Sequence, residues 1–157
     1  NSITHIGANP PLLGFIQRPA TVDRHTYQNI LKYKHYSFNI IAEDFFEKAH
    51  QTSARYGIGI NEFKEVGLTA MYKEKIRCPF VAESPLHIAL ELHEDIEIKS
   101  NKTRLIVGKV ISISSLDSLA ENKFELDFQK LKSISISGLS DYYTLNKLKS
   151  LNYAKPK

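Results

Sequence analysis

Gly14-Phe15-Ile16-Gln17-Arg18-Pro19-Ala20-Thr21-Val22-Asp23-Arg24-His25-Thr26-Tyr27-Gln28-Asn29 is the stretch from which the rest of the chain can be read. Its start continues an apolar run, Leu12 to Ile16, with the length and composition of a buried strand. The run stops at Arg18-Pro19, because proline supplies no ladder donor and restrains the residue before it. A helix pattern follows, with Tyr27, Ile30 and Leu31 on one face. Between strand and helix stand Arg18, Thr21, Arg24, His25 and Thr26. The first amides of a helix have no intrahelical partner, and the helix dipole is positive there. Guanidinium, hydroxyl and free amide together suit an anion, a phosphate above all. The alternative is that Thr21 or Asp23 caps the helix and the arginines are solvated. The stretch alone leaves both readings open.

The whole composition fits a soluble globular chain. It has 157 residues, 42% hydrophobic and 24% charged, enough for one domain with a real core. The formal charge is +4, from 21 basic and 17 acidic residues, and no basic block stands out. Nucleic acid is therefore not the expected partner, while a small anionic ligand is mildly favoured. The single cysteine, Cys78, precludes an internal disulfide and a four-cysteine zinc site. No apolar run is long enough for a membrane helix. No leader is visible at Asn1, and a lone cysteine suits the cytoplasm, which is the expected compartment. The chain opens without methionine and directly into a strand-like pattern, so residues upstream are expected.

Outward from the central stretch, Asn1 to Gly7 suits a strand end, and Asn9-Pro10-Pro11 a turn. Tyr36 to Ile41 reads as a strand, so the local order is strand, helix, strand. Ala42-Glu43-Asp44 reads as the opening of a second helix with acids at its positive end. That helix carries His50-Gln51-Thr52-Ser53-Ala54-Arg55 at its far end, where hydroxyls can face a cleft or bond back to carbonyls. Gly57-Ile58-Gly59 lacks the rest of a dinucleotide fingerprint. Asn61 to Gly67 has the signals of a short helix, with Asn as cap and Gly as stop. Leu86 to Ile98 is the clearest strand, with a slip near Glu94-Asp95, and Arg104 to Ile113 returns beside it as a hairpin. His87, Glu91 and His93 share one face of that strand and read as a polar sheet face. The two imidazoles stand about 20 Å apart at about 3.3 Å per residue, too far for one metal ion. Residues 114 to 124 read as a loop, Leu126 to Leu131 as a helical turn, and Lys132 to Ser137 as a short strand. The lysine-rich tail, 145–157, reads as a solvated helix or a disordered end.

Several local patterns now stand in a definite order. They are Asn9-Pro10-Pro11-Leu12; Arg18-Pro19-x-Thr21-x-x-Arg24-x-Thr26-Tyr27-x-Asn29; Ala49-His50-x-Thr52-Ser53-Ala54; Phe63-x-x-x-Gly67-Leu68-Thr69; Glu83-Ser84-Pro85; and Gly138-Leu139-Ser140-Asp141-Tyr142-Tyr143. Together they resemble flavin reductase-like proteins with the FMN-binding split-barrel fold, over Asn1 to Thr144. The resemblance implies a mainly β, six-stranded antiparallel Greek-key barrel with peripheral helices, apparently missing its N-terminal strands in this chain. Residues 1–144 would be the FMN-binding domain and 145–157 a tail. It implies FMN as cofactor, NAD(P)H as co-substrate, and a homodimer. Ser2, Thr4 and His5 would lie beside the flavin ring. Arg18, Thr21, Arg24 and Thr26 would hold the phosphate. His50, Thr52, Ser53 and Ala54 would close the groove, with Tyr142 and Tyr143 near the ring or the second subunit. The expected activity is hydride transfer from nicotinamide to flavin, with free flavin, a partner oxygenase or another carrier as acceptor. The alternatives are an FMN-bound electron carrier of the flavoredoxin type, and an anion-binding dimerisation domain without flavin.

Overall fold

A computed structural model of the chain describes residues 3–19, 24–115 and 126–156. The Leu12–Ile16 run forms β2 (Pro11–Gln17), which lies between β1 (Ile3–Ala8) and β7 (Thr103–Ser115). β6 (Leu86–Ile98) pairs with β7 as the expected long hairpin, and β3 (His35–Asn39) pairs with β6. The main sheet is antiparallel, in the order β1-β2-β7-β6-β3. It holds five strands where six were expected, and the barrel is not closed among the described residues.

Strand alternation explains where the core forms. Phe15 faces Ile106 across β2 and β7, and Tyr36 faces Leu90 across β3 and β6. These four side chains close on Ile30 from α1 (His25–Tyr33), so the helix lies on this face of the sheet. Leu90 and Ile106 have no exposed surface, and each such burial stabilises by about 1.5–3 kcal/mol. Phe15, Tyr36 and Phe38 meet edge to face, with centroids 5.5–5.8 Å apart. Gly108 leaves room for this cluster. A Cβ there would come within 2.7 Å of Tyr36 Cζ and 3.0 Å of Leu90 Cβ.

Polar bonds tie α1 to the hairpin. Tyr27 Oη donates to Asp95 Oδ2 at 2.7 Å, and Arg104 Nε donates to Asp95 Oδ1 at 2.6 Å. α1 ends where Lys34 turns left-handed, its N–H donating to the Ile30 carbonyl. This anchoring fixes the direction in which the helix N-terminus points.

A second, smaller core joins Ala42, Phe45, Val66 and Leu68. It is built around α2 (Phe46–Gln51) and α3 (Glu62–Val66). α3 keeps the expected signals. Asn61 Oδ1 accepts the Phe63 N–H at 3.1 Å, and Gly67 closes the helix with φ 68°.

Two expectations are corrected. α2 does not open at Ala42, because Ala42 bridges to Ser133 and the Glu43 N–H donates to the Lys132 carbonyl. The acids therefore stand in a turn ahead of the helix, whose N-cap is Phe45. His87 is not on a polar solvent face: it is 1% exposed, its Nε2 lies 2.7 Å from the Val81 carbonyl, and its ring meets Phe80. The cause is a ribbon, β4 (Ala70–Met71) with β5 (Phe80–Val81), which brings Phe80 against that side of β6. Asp141 to Thr144 form β9 and pair with β8 (Ile134–Ser137) as a ribbon. Residues 145–156 carry neither helix nor strand.

Candidate functional site

A cavity of about 820 Å³ opens where β2 ends and α1 begins. Arg18, Arg24, His25 and Thr26 form one wall. The end of α2 and its following loop form a second, with His50, Thr52, Ser53, Ala54 and Arg55. The β8–β9 ribbon supplies a third through Ile134, Ile136 and Tyr142. The size lies toward the upper end of small-molecule sites, about 300–1,000 Å³.

The cationic wall has a feature that a solvated arginine would lack. Among the described residues Arg24 Nε is buried without a hydrogen-bond partner. Arg24 is also the N-cap of α1, and no side chain caps that helix end. A buried donor left unmade costs about 1–3 kcal/mol, more for a charged group. No ion pair forms at Arg18 or Arg24 among the described residues. An acceptor with negative charge fits this donor set.

On the opposite wall His50 Nδ1 lies 2.9 Å from Tyr142 Oη, and the rings meet edge on at 5.7 Å. Phe46 supports Tyr142 from α2, with centroids 5.2 Å apart. The Thr52 hydroxyl donates to the Ala49 carbonyl at 2.7 Å. The backbone reading of that hydroxyl is thus realised, and its lone pairs remain able to accept. The Ser53 N–H is spent on the His50 carbonyl at 2.9 Å, which leaves Ser53 its hydroxyl. Asn39 also lines the cavity, but it serves the fold: Val81 N–H donates to its Oδ1 and its Nδ2 donates to Ser37 Oγ.

The structure thus brings together Arg18, Arg24, Thr26, His50, Thr52, Ser53, Ala54 and Tyr142, which lie up to more than a hundred residues apart in sequence. Thr4 and His5 do not line the cavity; they are exposed on edge strand β1, where Ile3 is the residue that reaches it. Tyr143, exposed on β9, does not line it either. Ser2 and Thr21 lie outside the described residues. Sequence reasoning missed the ribbon isoleucines and Arg55. The alternation Ile134-Ser135-Ile136 was a usable strand signal, but nothing local said which wall it would join.

The antiparallel β domain with helices at its rim and a cationic cleft at the sheet's end has the layout of a split-barrel protein. The chain belongs to the flavin reductase like domain family, whose model matches residues 1–134. It is similar to a structure from Shewanella frigidimarina described as a flavin reductase with a split barrel domain. That match is 39% identical, covers 98% of this chain and 76% of the other, and has a TM-score of 0.91. The fold also matches nitrilotriacetate monooxygenase component B from Bacillus cereus, at 24% identity, 95% and 76% coverage and TM-score 0.83. A third match is flavoredoxin of Desulfovibrio vulgaris, at 21% identity, 94% and 77% coverage and TM-score 0.81. Family membership supports a flavin-related oxidoreductase. No helix among the described residues is long and apolar enough to cross a membrane.

Proposed function

We propose that this chain binds FMN in the cavity between α1, α2 and the β8–β9 ribbon, and that it takes hydride from NADH or NADPH. The observation that carries this reading is the buried, unpartnered Nε of Arg24 on the cavity wall. Arg18, Arg24 and Thr26 would grip the phosphate, with Thr21 alongside in the same stretch. His50, Thr52, Ser53 and Ala54 would close over the cofactor from the opposite wall. From the start of the chain Ile3 would flank the ring, with Ser2 next to it in sequence, while Thr4 and His5 stand outside the cavity. FMN, when bound, supplies the hydride-accepting chemistry.

The chain's own contribution is holding, orienting and shielding. The Thr52 proton is already committed to Ala49, so Thr52 is suited to accept from a ligand N–H. Tyr142 is held by His50 and Phe46, which keeps its ring from collapsing into the cavity. Two copies would assemble as a homodimer, and reduced flavin would pass on to free flavin, a partner oxygenase or another carrier.

The test is the absorption spectrum of FMN-loaded, dialysed protein, followed by NADH or NADPH under nitrogen. A retained flavin band that bleaches is the expected result. A retained band that neither nicotinamide bleaches makes the chain an electron carrier. Loss of all flavin on dialysis, with no saturable binding in titration, overturns the reading.

A further inference from the structure

The β8–β9 ribbon forms a two-stranded sheet of its own, outside the main sheet. Its base is fastened. Leu131 and Ser133 are buried, Ser133 bridges to Ala42, and the Ile134 N–H donates to the Ile41 carbonyl. Thr144 faces Ile134 across the ribbon, so both strands leave the body at one level. Beyond that level the packing stops. From 135 to 144 every residue is exposed except Tyr142, which is half-buried. Among the described residues, the hydrogen bonds of that span run between its own two strands, apart from the one that joins Tyr142 to His50. The Tyr142 ring also meets Phe46 and His50. A ribbon of two strands is at best marginally stable alone. Its place therefore depends on its base and on this one ring.

The same ribbon is a wall of the cavity. Ile134, Ile136 and Tyr142 line it, and so do Gly138 and Leu139 at the turn. Tyr142 stands opposite Ile136, well out from the base. A contact far from the base restrains rotation about it more than a contact near it would. Phe46, which backs Tyr142 from the start of α2, does not line the cavity. One side of the contact is thus in the site and the other outside it.

We propose that the β8–β9 ribbon is a flap over the cavity, hinged where Ile134 faces Thr144 and latched by Tyr142 on His50 and Phe46, and that its opening sets how fast flavin enters and leaves. The proposal rests on the flavin reading of the cavity and adds the moving part. A flap of this kind acts on rates, because a ligand enters only the open fraction of molecules. A bound ligand touching Ile134 and Ile136 would add contacts that hold the flap shut.

Two measurements test this. The first is amide hydrogen exchange on the ligand-free full chain, which reads local opening. Phe46→Ala removes the support from outside the cavity and should speed exchange across 135–144 by about 3- to 10-fold, with β6 and β7 unchanged. Tyr142→Phe, which removes only the hydroxyl, should act in the same direction. The second is stopped-flow flavin fluorescence with FMN. In Phe46→Ala both association and dissociation should quicken by a similar factor. Unchanged exchange across 135–144 in both variants overturns the latch. Faster exchange with an unchanged association rate overturns the gate, since the ribbon then opens off the ligand's path. Faster dissociation alone also overturns it, because a support for a bound ligand acts on release only. No saturable FMN binding by the unmodified chain overturns the flavin reading and the gate with it, and the exchange arm then decides the latch.

Discussion

Replacing Arg24 by alanine separates ligand binding from folding. Among the described residues of the ligand-free chain, Arg24 Nε is buried without a partner. Removing it takes away a desolvated donor, whose unmet bond costs about 1–3 kcal/mol. The ligand-free variant should therefore unfold at the same urea concentration as the parent, or a higher one. In the FMN complex the same guanidinium would make a charge-assisted bond with a net worth of about 1.5–3 kcal/mol. At about 1.4 kcal/mol per factor of ten, the FMN dissociation constant should rise about 10- to 100-fold. Arg18→Ala in addition should weaken binding further, by less than a second full step if both side chains grip one phosphate. Flavin fluorescence quenching gives the affinity and urea unfolding gives the stability. FMN affinity within about twofold of the parent would refute the phosphate assignment. So would a ligand-free variant destabilised by more than about 1 kcal/mol, because Arg24 would then be structural.

Three further changes test the fold that positions the cleft. Gly108→Ala should destabilise by about 1–3 kcal/mol by overpacking, because a Cβ there meets the Tyr36 ring; Tyr36→Phe, which removes a buried hydroxyl without a partner, should be neutral alone and relieve part of that loss, as read by thermal unfolding. Asp95→Asn should cost about 1–3 kcal/mol in urea unfolding, since one carboxylate accepts from both Tyr27 and Arg104. His87 predicts a pH dependence. Burial pushes its imidazole below its ordinary value, against an opposing pull from the Val81 carbonyl. The unfolded chain then binds more protons, so this contribution is present above about pH 6.5 and is lost as pH falls toward the folded value. Unfolding free energy measured from pH 7.5 to 5 should fall, and His87→Asn should flatten that slope while lowering stability at pH 7.5.

Much of the architecture was legible because it rests on local signals. The β6–β7 hairpin follows from two alternating runs joined by Lys99 to Lys102, where Asn101 Oδ1 accepts from Thr103 and Lys102 takes a left-handed turn. α3 follows from its Asn cap and Gly stop. Where the reading failed, a distant partner had intervened. Ala42 looked like the start of a helix until Ser133, from the other end of the chain, claimed it for a bridge. His87 looked like part of a polar sheet face until Phe80 lay against it.

By itself, the sequence determined that a strand would run into Arg18-Pro19, that a helix would follow, and that guanidinium and hydroxyl groups would gather at the junction. Those are consequences of periodicity, proline chemistry and helix ends, all contained within about twenty residues. Only the tertiary structure decided which of those groups share a cavity. Asp95 had to anchor α1 on the hairpin before its N-terminus could face His50, and β9 had to return before Tyr142 could meet it. Burial of Arg24 Nε without a partner is likewise a product of several elements closing at once. No window of sequence can show it, because desolvation depends on everything that packs around an atom.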